Sequence, residues 1–242
     1  YIKGEVLLPS IDADDIKIQS RVNSNKESKL SIRNTGVRQA EIIAISGINQ
    51  PFELINATFP IIIDVGGVAE LAIRYTANDT ESDTNVVEII YEPCNRVAVA
   101  TILGLPFSAL ATLKTIELEG KPGDSIKVPI ILQNEENLIL AGITTIDVEL
   151  TFNPTLLYPQ NYPVTAIDDH TAKITIKDIP ANKNVGEILG EVEFTVGLGN
   201  ADSCDLILQN ATTNGGQAEI TLLNGKFTLL DVCREGGARL VN

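Results

Sequence analysis

The sequence predicts an all-β protein that is built of two β-sandwich domains. The chain has 242 residues and is 44% apolar, so each half can bury a core. Short apolar segments rich in Ile, Val and Leu alternate with Gly, Pro, Asn and Asp along the whole chain, which is typical of strands joined by turns. No segment has the spacing of an amphipathic helix, so we expect less than about 10% helix.

The first half contains six segments of strand length. Turn residues bound them, for example Asn34-Thr35-Gly36, Gly66-Gly67 and Pro93. The segments are 29–34, 40–46, 51–55, 68–77, 84–92 and 96–104. A strand every 10–15 residues or so favours a sandwich over an α/β fold. Gly104 and Pro106 then interrupt the pattern, and we place the boundary there, with domains at 1–106 and 107–242.

The second half shows a clearer alternation of apolar and polar residues. The segment 143–152 places four apolar residues on one face of a strand and four polar residues on the other: Ile146, Val148, Leu150 and Phe152 against Thr145, Asp147, Glu149 and Thr151. Residues 190–197 repeat the pattern, with Glu191 and Glu193 on the polar face. We interpret these acidic residues as solvent-facing strand positions that a binding surface can also use.

Three further segments predict local structure. Asn224-Gly225 lies between apolar runs, which is a strong signal for a tight hairpin. Pro129 cannot donate a ladder hydrogen bond, so it indicates a sheet edge or a bulge. The segment 109–120 also suits a helix by composition, but its β-branched residues Thr115 and Ile116 favour a strand.

Charge limits the classes of partner. The net charge is −14, with −5 in residues 1–107 and −9 in 108–242. Nucleic-acid backbones and anionic membranes repel such a chain, so we expect no nucleic acid as a partner. No stretch reaches the roughly 20 apolar residues that cross a bilayer, so we expect no membrane insertion.

Catalytic motifs are absent from the sequence. The only histidine is His170, in the polar turn Asp168-Asp169-His170, so a Ser-His-Asp triad would have to use it. There is no GxSxG nucleophile elbow, and no acidic pair stands in a recognisable acid–base motif. We therefore expect no enzyme, no catalytic residue and no cofactor.

One segment has the spacing of a weak calcium loop. Oxygen-bearing residues alternate at Asp79, Glu81, Asp83 and Asn85, as hard cations require. The sixth position is Thr84, where a calcium loop of the EF type needs Gly, and the twelfth is Ile90, where it needs Glu. We favour a solvated hairpin tip, and give residues 12–15, which read DADD, the same interpretation.

The three cysteines are Cys94, Cys204 and Cys233, without a zinc spacing. Alternation places Cys204 and Cys233 on inward faces of late strands in the second domain, where their sulfurs can meet. A secreted location favours the disulfide Cys204–Cys233, which in the chain-entropy model contributes about 3.5 kcal/mol. Cys94 is then left unpaired. The alternative is three free thiols that act as ordinary core residues.

Two tyrosines are the candidates for stacking on a sugar ring. Tyr158 and Tyr162 lie in the segment LLYPQNYP, and the chain has no Trp. The alternative is that both rings pack this proline-rich loop against the sandwich, because tyrosines commonly bury the ring and expose the hydroxyl.

Residues 5–104 resemble the abnormal-spindle/Hydin-type immunoglobulin-like domain, through LSIRNTG, PFELI, FPIIIDVGGVAELAIRYTA and VATILG. Residues 110–233 resemble the cohesin and carbohydrate-binding superfamily of jelly-roll sandwiches, through PGDSIKVPIILQN, AGITTIDVELTFNPTLLYP, GEILGEVEFTVGLG and LLNGKFTLLDVC. The ending CREGGARLVN resembles the stretch before a sorting tail in secreted bacterial proteins. These resemblances imply an immunoglobulin-like sandwich followed by a cohesin-like jelly roll.

The resemblances also imply a function, since such modules occur in bacterial surface proteins. We expect a non-catalytic pair of structural or binding modules from a larger modular secreted protein, located outside the cell or on its surface. The partner is expected to be a protein. The alternative is an ancillary carbohydrate-binding module of a larger hydrolase, with a polysaccharide as its ligand.

Overall fold

The computed structural model describes residues 8–235 and 238–241, and side chains as far as residue 232. The chain divides into two compact units, Tyr1–Ser108 and Ala109–Asn242, called unit 1 and unit 2 below. In the described part of the chain, every regular element is a strand, as the sequence predicts. No helix there is long and apolar enough to cross a membrane.

Unit 1 is a sandwich of two sheets. Its strands are β1 (Ile11–Ala13), β2 (Ile16–Arg21), β3 (Ser24–Asn34), β4 (Ala40–Ser46), β5 (Phe52–Ile55), β6 (Ile61–Ile63), β7 (Val68–Ala77), β8 (Asp83–Glu92) and β9 (Arg96–Phe107). One sheet has the order β1-β3-β7-β5 and the other β2-β9-β8-β4-β6. Strand β9 continues through Gly104 and Pro106, where the sequence pattern predicts an interruption. Gly104 is needed there because a side chain would meet the Tyr75 ring at 2.4 Å.

The core of unit 1 joins both sheets. Leu30 and Ile73 of the four-stranded sheet pack in one cluster with Ile42, Ile89 and other residues of the five-stranded sheet. Strands in this unit carry a buried residue at every second position, because successive side chains on a strand point to opposite faces.

Unit 2 is a larger sandwich. Its strands are β10 (Leu110–Lys114), β11 (Glu117–Gly120), β12 (Ser125–Glu136), β13 (Thr145–Phe152), β14 (Leu157–Pro159), β15 (Thr165–Asp168), β16 (Thr171–Pro180), β17 (Ile188–Val196), β18 (Ser203–Asn214), β19 (Glu219–Leu223), β20 (Gly225–Leu229), β21 (Val232–Glu235) and β22 (Ala238–Val241). A five-stranded sheet has the order β14-β17-β12-β10-β19, and a six-stranded sheet the order β11-β20-β18-β13-β16-β15. Strands β21 and β22 form a separate hairpin.

The two sheets of unit 2 meet in one apolar core. Phe152 on β13 and Phe194 on β17 contact each other edge to face, with ring centroids 5.0 Å apart. The predicted inward residues of β13 are all buried, from Ile146 to Phe152. Thr151, which the alternation assigns to the polar face, is also buried and is only 7% exposed. It lies between Ile207 and Lys173 in the register of the sheet.

The hairpin predicted at Asn224-Gly225 is wrong. Strand β19 before it pairs in parallel with β10 in one sheet, and strand β20 after it pairs in parallel with β11 in the other. The chain therefore passes from one sheet to the other at Asn224-Gly225, beside the equivalent passage at Thr115-Ile116. The Thr115 N–H donates to the Leu223 carbonyl at 3.1 Å. Gly225 allows this close approach, since a side chain would lie 2.2 Å from the Ile116 carbonyl oxygen.

Pro129 is not at a sheet edge. Strand β12 lies between β17 and β10, and Pro129 pairs in register with Glu191 inside the sheet. A bulge follows immediately, between Ile130 and Ile131. Of the two expected alternatives, a sheet edge or a bulge, the structure has the bulge. The proline is tolerated because the ladder is irregular beside it.

Candidate interaction face

The outer face of the five-stranded sheet in unit 2 carries a continuous row of side chains, called the outer row below. Leu223 on β19 pairs with Lys114 on β10, Lys114 with Ile131 on β12, and Ile131 with Ile188 on β17. Ile188 is 47% exposed and Leu223 is 40% exposed, while Lys114 and Ile131 are partly exposed. The row therefore crosses four neighbouring strands with three aliphatic side chains and the methylene stem of one lysine.

Strand alternation and the bulge beside it explain why these aliphatic residues face outward. Ile130 and Leu132 point into the core and are almost fully buried, so Ile131 between them must point outward. Across the bulge the same holds for Ile188, whose neighbour Leu189 is 7% exposed. The outer row thus follows from strand geometry.

Charged and polar groups lie on the same face to one side of the outer row, along β12 and β17. Lys127 Nζ lies 3.0 Å from Glu191 Oε2, and the hydrogen bond and charge of Glu191 raise the pKa of Lys127. Ser125 Oγ donates to Glu193 Oε1 at 2.6 Å. An apolar strip with a hydrogen-bonded polar border is the arrangement found in protein–protein interfaces.

The two candidate stacking tyrosines have different environments. Tyr158 on β14 is 52% exposed, and its ring rests on the backbone of Gly197, where a side chain would meet the ring at 2.5 Å. Next to it, Gln160 Nε2 donates to Thr195 Oγ1 at 2.8 Å. Tyr162 is partly buried and packs against the core. Only Tyr158 therefore presents a ring face to solvent beside polar partners.

The acidic residues of the polar faces lie on two different sheets. Glu191 and Glu193 are on β17 of the five-stranded sheet, whereas Asp147 and Glu149 are on β13 of the six-stranded sheet. Glu149 accepts from Lys173 Nζ at 2.8 Å and from Asn210 Nδ2 at 2.7 Å, and these bonds lower the pKa of Glu149.

Asp147 is also engaged, because its Oδ1 accepts the backbone N–H of Asp178 at 2.9 Å. Both acidic side chains of β13 therefore accept hydrogen bonds from groups of neighbouring strands in the same sheet. The surface that they form is polar, and its acidic groups are hydrogen-bonded within the sheet.

The calcium candidates are spread between a turn and a strand. Asp79 accepts the N–H of Glu81 within the turn. Asp83 accepts the Tyr75 hydroxyl at 2.8 Å, and burial with this bond raises the pKa of Tyr75. Asn85 donates to the Asn49 carbonyl at 2.8 Å. Among the described side chains, no three from His, Cys, Asp and Glu converge as metal ligands. The calcium site remains a hypothesis.

The acidic segments 12–15 and 168–170 have structural contacts, and each begins in a strand, with Asp12 on β1 and Asp168 on β15, so neither is a turn throughout. Asp15 Oδ1 accepts the backbone N–H of Thr101 at 2.6 Å, next to β1. Asp168 accepts the backbone N–H of His170 at 2.8 Å, and this bond lowers the pKa of Asp168. The His170 ring contacts Asn200 Nδ2, with Nδ1 at 2.7 Å.

A hollow of about 170 Å³ at one end of the six-stranded sheet is lined by His170 and Cys204, among others. Burial raises the pKa of Cys204, although the backbone N–H of Asn153 bonds to its sulfur. A nucleophilic cysteine requires the opposite shift, because the thiolate is the reactive form. The raised pKa of Cys204 therefore gives no support to cysteine–histidine chemistry in this hollow.

The predicted disulfide cannot be placed completely. Cys94 is exposed and Cys204 is half-buried, and neither forms a disulfide with another described side chain. The side chain of Cys233 lies outside the described part of the chain, as do the other side chains of the segment 233–242, which resembles a sorting-tail junction. The bridge and its alternative of free thiols both remain predictions.

Unit 1 also exposes apolar side chains, on the outer face of β8 and β9. Val86, Val97 and Val99 are each more than half exposed, and Ile90 lies opposite Val97. We refer to them as the valine patch. Valine is common at exposed strand positions because β-branched residues favour strands. The valine patch is therefore weaker evidence for a binding surface than the outer row.

The structure defines the class of the protein: an all-β chain of two β-sandwich domains. No protein-family model matches the chain, and no curated protein sequence matches it. Several solved structures are similar to about half of the chain.

The seventh ScaB type I cohesin of Pseudobacteroides cellulosolvens has 15% identity and a TM-score of 0.39, covering 52% of this chain and 95% of that one. A non-cellulosomal cohesin of Archaeoglobus fulgidus has 23% identity and a TM-score of 0.35, covering 50% and 92%. A PapD-like domain of human CEP192 has 10% identity and a TM-score of 0.32, covering 44% and 96%. The Hydin-type assignment of the first domain stays a prediction.

Sequence reasoning missed the outer row. Its four members are far apart in the chain, at 114, 131, 188 and 223, and only the register brings them together. The one available signal was the run of apolar residues from Val128 to Leu132, which has no polar residue at the outward positions.

Proposed function

We propose that the chain is a non-catalytic pair of binding modules from a larger modular protein outside the cell, and that unit 2 binds a partner protein through the outer row. The observation that carries this proposal is the row of Leu223, Lys114, Ile131 and Ile188 across four strands. Burying exposed aliphatic surface is the main favourable contribution to association.

The border of the outer row supports a protein as the ligand. Lys127, Glu191 and Glu193 supply both signs of charge within one face, which gives an interface orientation and selectivity. A second protein with an apolar centre and charged edge would complement this surface.

The proposal can be tested by photo-crosslinking. A benzophenone amino acid at position 188 is expected to capture a partner from the extracellular fraction of the source organism, and mass spectrometry identifies it. The purified partner is then titrated by calorimetry with the wild-type chain and with Ile188→Asp. We expect the variant to bind at least 30-fold more weakly, which corresponds to about 2 kcal/mol at an interface centre.

A matched control is Val99→Asp, which places the same charge on the exposed valine patch of unit 1. It is expected to bind the partner as the wild type does. Equal affinity of Ile188→Asp and wild type for the captured partner would refute a role for the outer row.

Carbohydrate binding is a second candidate function, and Tyr158 is the observation that favours it. Its half-exposed ring stands beside Gln160 and Thr195, which resembles a stacking platform with hydrogen-bonding neighbours. On a glycan array and in polysaccharide pull-downs, Tyr158→Ala is expected to abolish binding. Tyr162→Ala is the comparison, since that ring packs on the core. The absence of binding to any glycan would remove this candidate.

A further inference from the structure

Two strand edges in unit 1 border an open groove. Strand β5 is the last strand of its sheet, and among the described strands none pairs with its second edge. Strand β6 pairs with β4 only at Ala40–Ile42, so the end of β4 at Ala44–Ser46 is uncovered on that side by the described strands. The connecting loop closes one end. We call this space the β4–β5 groove, which is lined by Ile45, Ser46, Ile48, Asn49, Gln50, Phe52, Glu53 and Leu54.

The register of β5 leaves backbone groups unused at its outer edge. The Thr76 N–H donates to the Pro51 carbonyl at 3.0 Å, so in this antiparallel ladder Pro51 and Glu53 direct their backbone groups towards β7. The alternate residues, Phe52 and Leu54, direct theirs away from β7. The Phe52 N–H donates a hydrogen bond to the Asn49 carbonyl at 2.9 Å. Within the described residues, the Phe52 carbonyl and both backbone groups of Leu54 have no backbone partner, so they can pair with an added strand.

The groove also offers an apolar floor. Phe52 is 2% exposed and stacks on Tyr75, with ring centroids 4.9 Å apart. Ile45, Ile48 and Leu54 are partly buried and pack against the core of unit 1. The cavity has a volume of about 470 Å³, within the range of about 300–1,000 Å³ for ligand sites. Alternate side chains of an extended peptide would lie on this floor.

The negative charge around the β4–β5 groove favours a basic peptide as its ligand. Among the described side chains, Glu53 is the one charged residue that lines the groove. Glu88 lies outside the lining and accepts from Ser46 Oγ, a lining group, at 3.1 Å. Arg74 contacts Glu53 at 3.3 Å but also contacts Glu27 at 2.8 Å, so this trio keeps a net negative charge. A second copy of the chain, with a net charge of −14, would be repelled.

We propose that the β4–β5 groove binds an extended basic segment of a partner protein as an added strand. Its backbone pairs with the Phe52 and Leu54 edge, its apolar side chains contact Ile48 and Leu54, and its Lys or Arg side chains face Glu53. Strand addition of this kind obtains affinity from main-chain hydrogen bonds and specificity from alternate side chains. The site is separate from the outer row in unit 2.

The test uses three synthetic octapeptides with the whole chain. The first alternates lysine and valine, the second alternates glutamate and valine, and the third has the charge of the first but proline in place of two valines. By fluorescence anisotropy, we expect the lysine–valine peptide to bind at least tenfold more tightly than either other peptide. Equal binding of the proline peptide would overturn strand addition, since proline cannot complete the ladder.

Two variants locate the binding site. Leu54→Pro removes the outward N–H and leaves the hydrogen bonds to β7 in place. Glu53→Lys reverses the charge of the groove. Each variant is expected to bind the lysine–valine peptide at least tenfold more weakly than the wild-type chain. Ile188→Asp, in unit 2, is expected to leave peptide binding unchanged, which separates this proposal from the proposed function. Unchanged binding by both groove variants would overturn the proposal. Concentration-dependent dimers that Leu54→Pro abolishes would also overturn it, because a second copy would then be the occupant.

Discussion

Replacing Gly225 with alanine tests the passage between the two sheets of unit 2. The new methyl carbon would lie 2.2 Å from the Ile116 carbonyl oxygen, 2.7 Å from its carbonyl carbon and 2.9 Å from its nitrogen. All three are backbone atoms, so no side-chain rotation relieves the contact. Either β11 or β20 must move, which disturbs the parallel pairing of both strands and the Thr115–Leu223 hydrogen bond beside it.

The expected cost follows from these contacts. Overpacking costs about 1–3 kcal/mol, and a weakened backbone hydrogen bond adds about 1 kcal/mol. We therefore expect Gly225→Ala to lower the free energy of unfolding of unit 2 by about 3 kcal/mol. For a unit of this size, that corresponds to a decrease in Tm of about 10 °C, measured by differential scanning calorimetry.

Gly190→Ala is the matched control for this prediction. Gly190 is also a strand glycine of unit 2, but a methyl group there would meet its nearest neighbour, Ile176 Cγ2, at 4.0 Å. We expect no loss of stability, and a gain of up to about 1 kcal/mol because alanine restricts the unfolded chain. A Tm of Gly225→Ala within about 2 °C of wild type would refute the close approach of the two strands.

Three further predictions concern ionisation, oxidation and metal binding. The Glu149 pKa is lowered from 4.5 by the hydrogen bonds from Lys173 and then Asn210, so its stabilising effect is complete above pH 4.5 and is lost as the pH falls through the lowered value. Glu149→Gln should therefore cost about 1 kcal/mol at pH 7 and reduce the loss of Tm between pH 4.5 and pH 2, and identical pH profiles would contradict this. Alkylation of the denatured chain without reductant should modify one cysteine, Cys94 by peptide mapping, if Cys204 and Cys233 are bridged; three modified cysteines would exclude the bridge. Saturating calcium should change Tm very little, and a rise of several degrees that Asp83→Ala abolishes would instead establish a site in the 79–85 segment.

Much of the fold could be predicted because strand periodicity is a local property. Side chains alternate between faces along a strand, so the sequence alone identified the buried side of β13 and of β17. Residues Ile146, Val148, Val192 and Phe194 are all fully buried, as the alternation predicts. The frequent turn residues likewise indicated short strands without helices, and the described chain agrees.

The candidate surfaces could not be predicted, because they depend on which strands become neighbours. Lys114 and Leu223 are adjacent only because β10 and β19 pair in parallel, and Ile131 meets Ile188 only across a bulge. Asn224-Gly225 is a hairpin signal by local preference, yet the apolar runs on either side bury their inner faces in different sheets. Local preferences contribute about 1 kcal/mol per residue, whereas the burial of a whole strand face contributes several times more. Tertiary packing therefore decided where the strands pair, and with them the outer row and the β4–β5 groove.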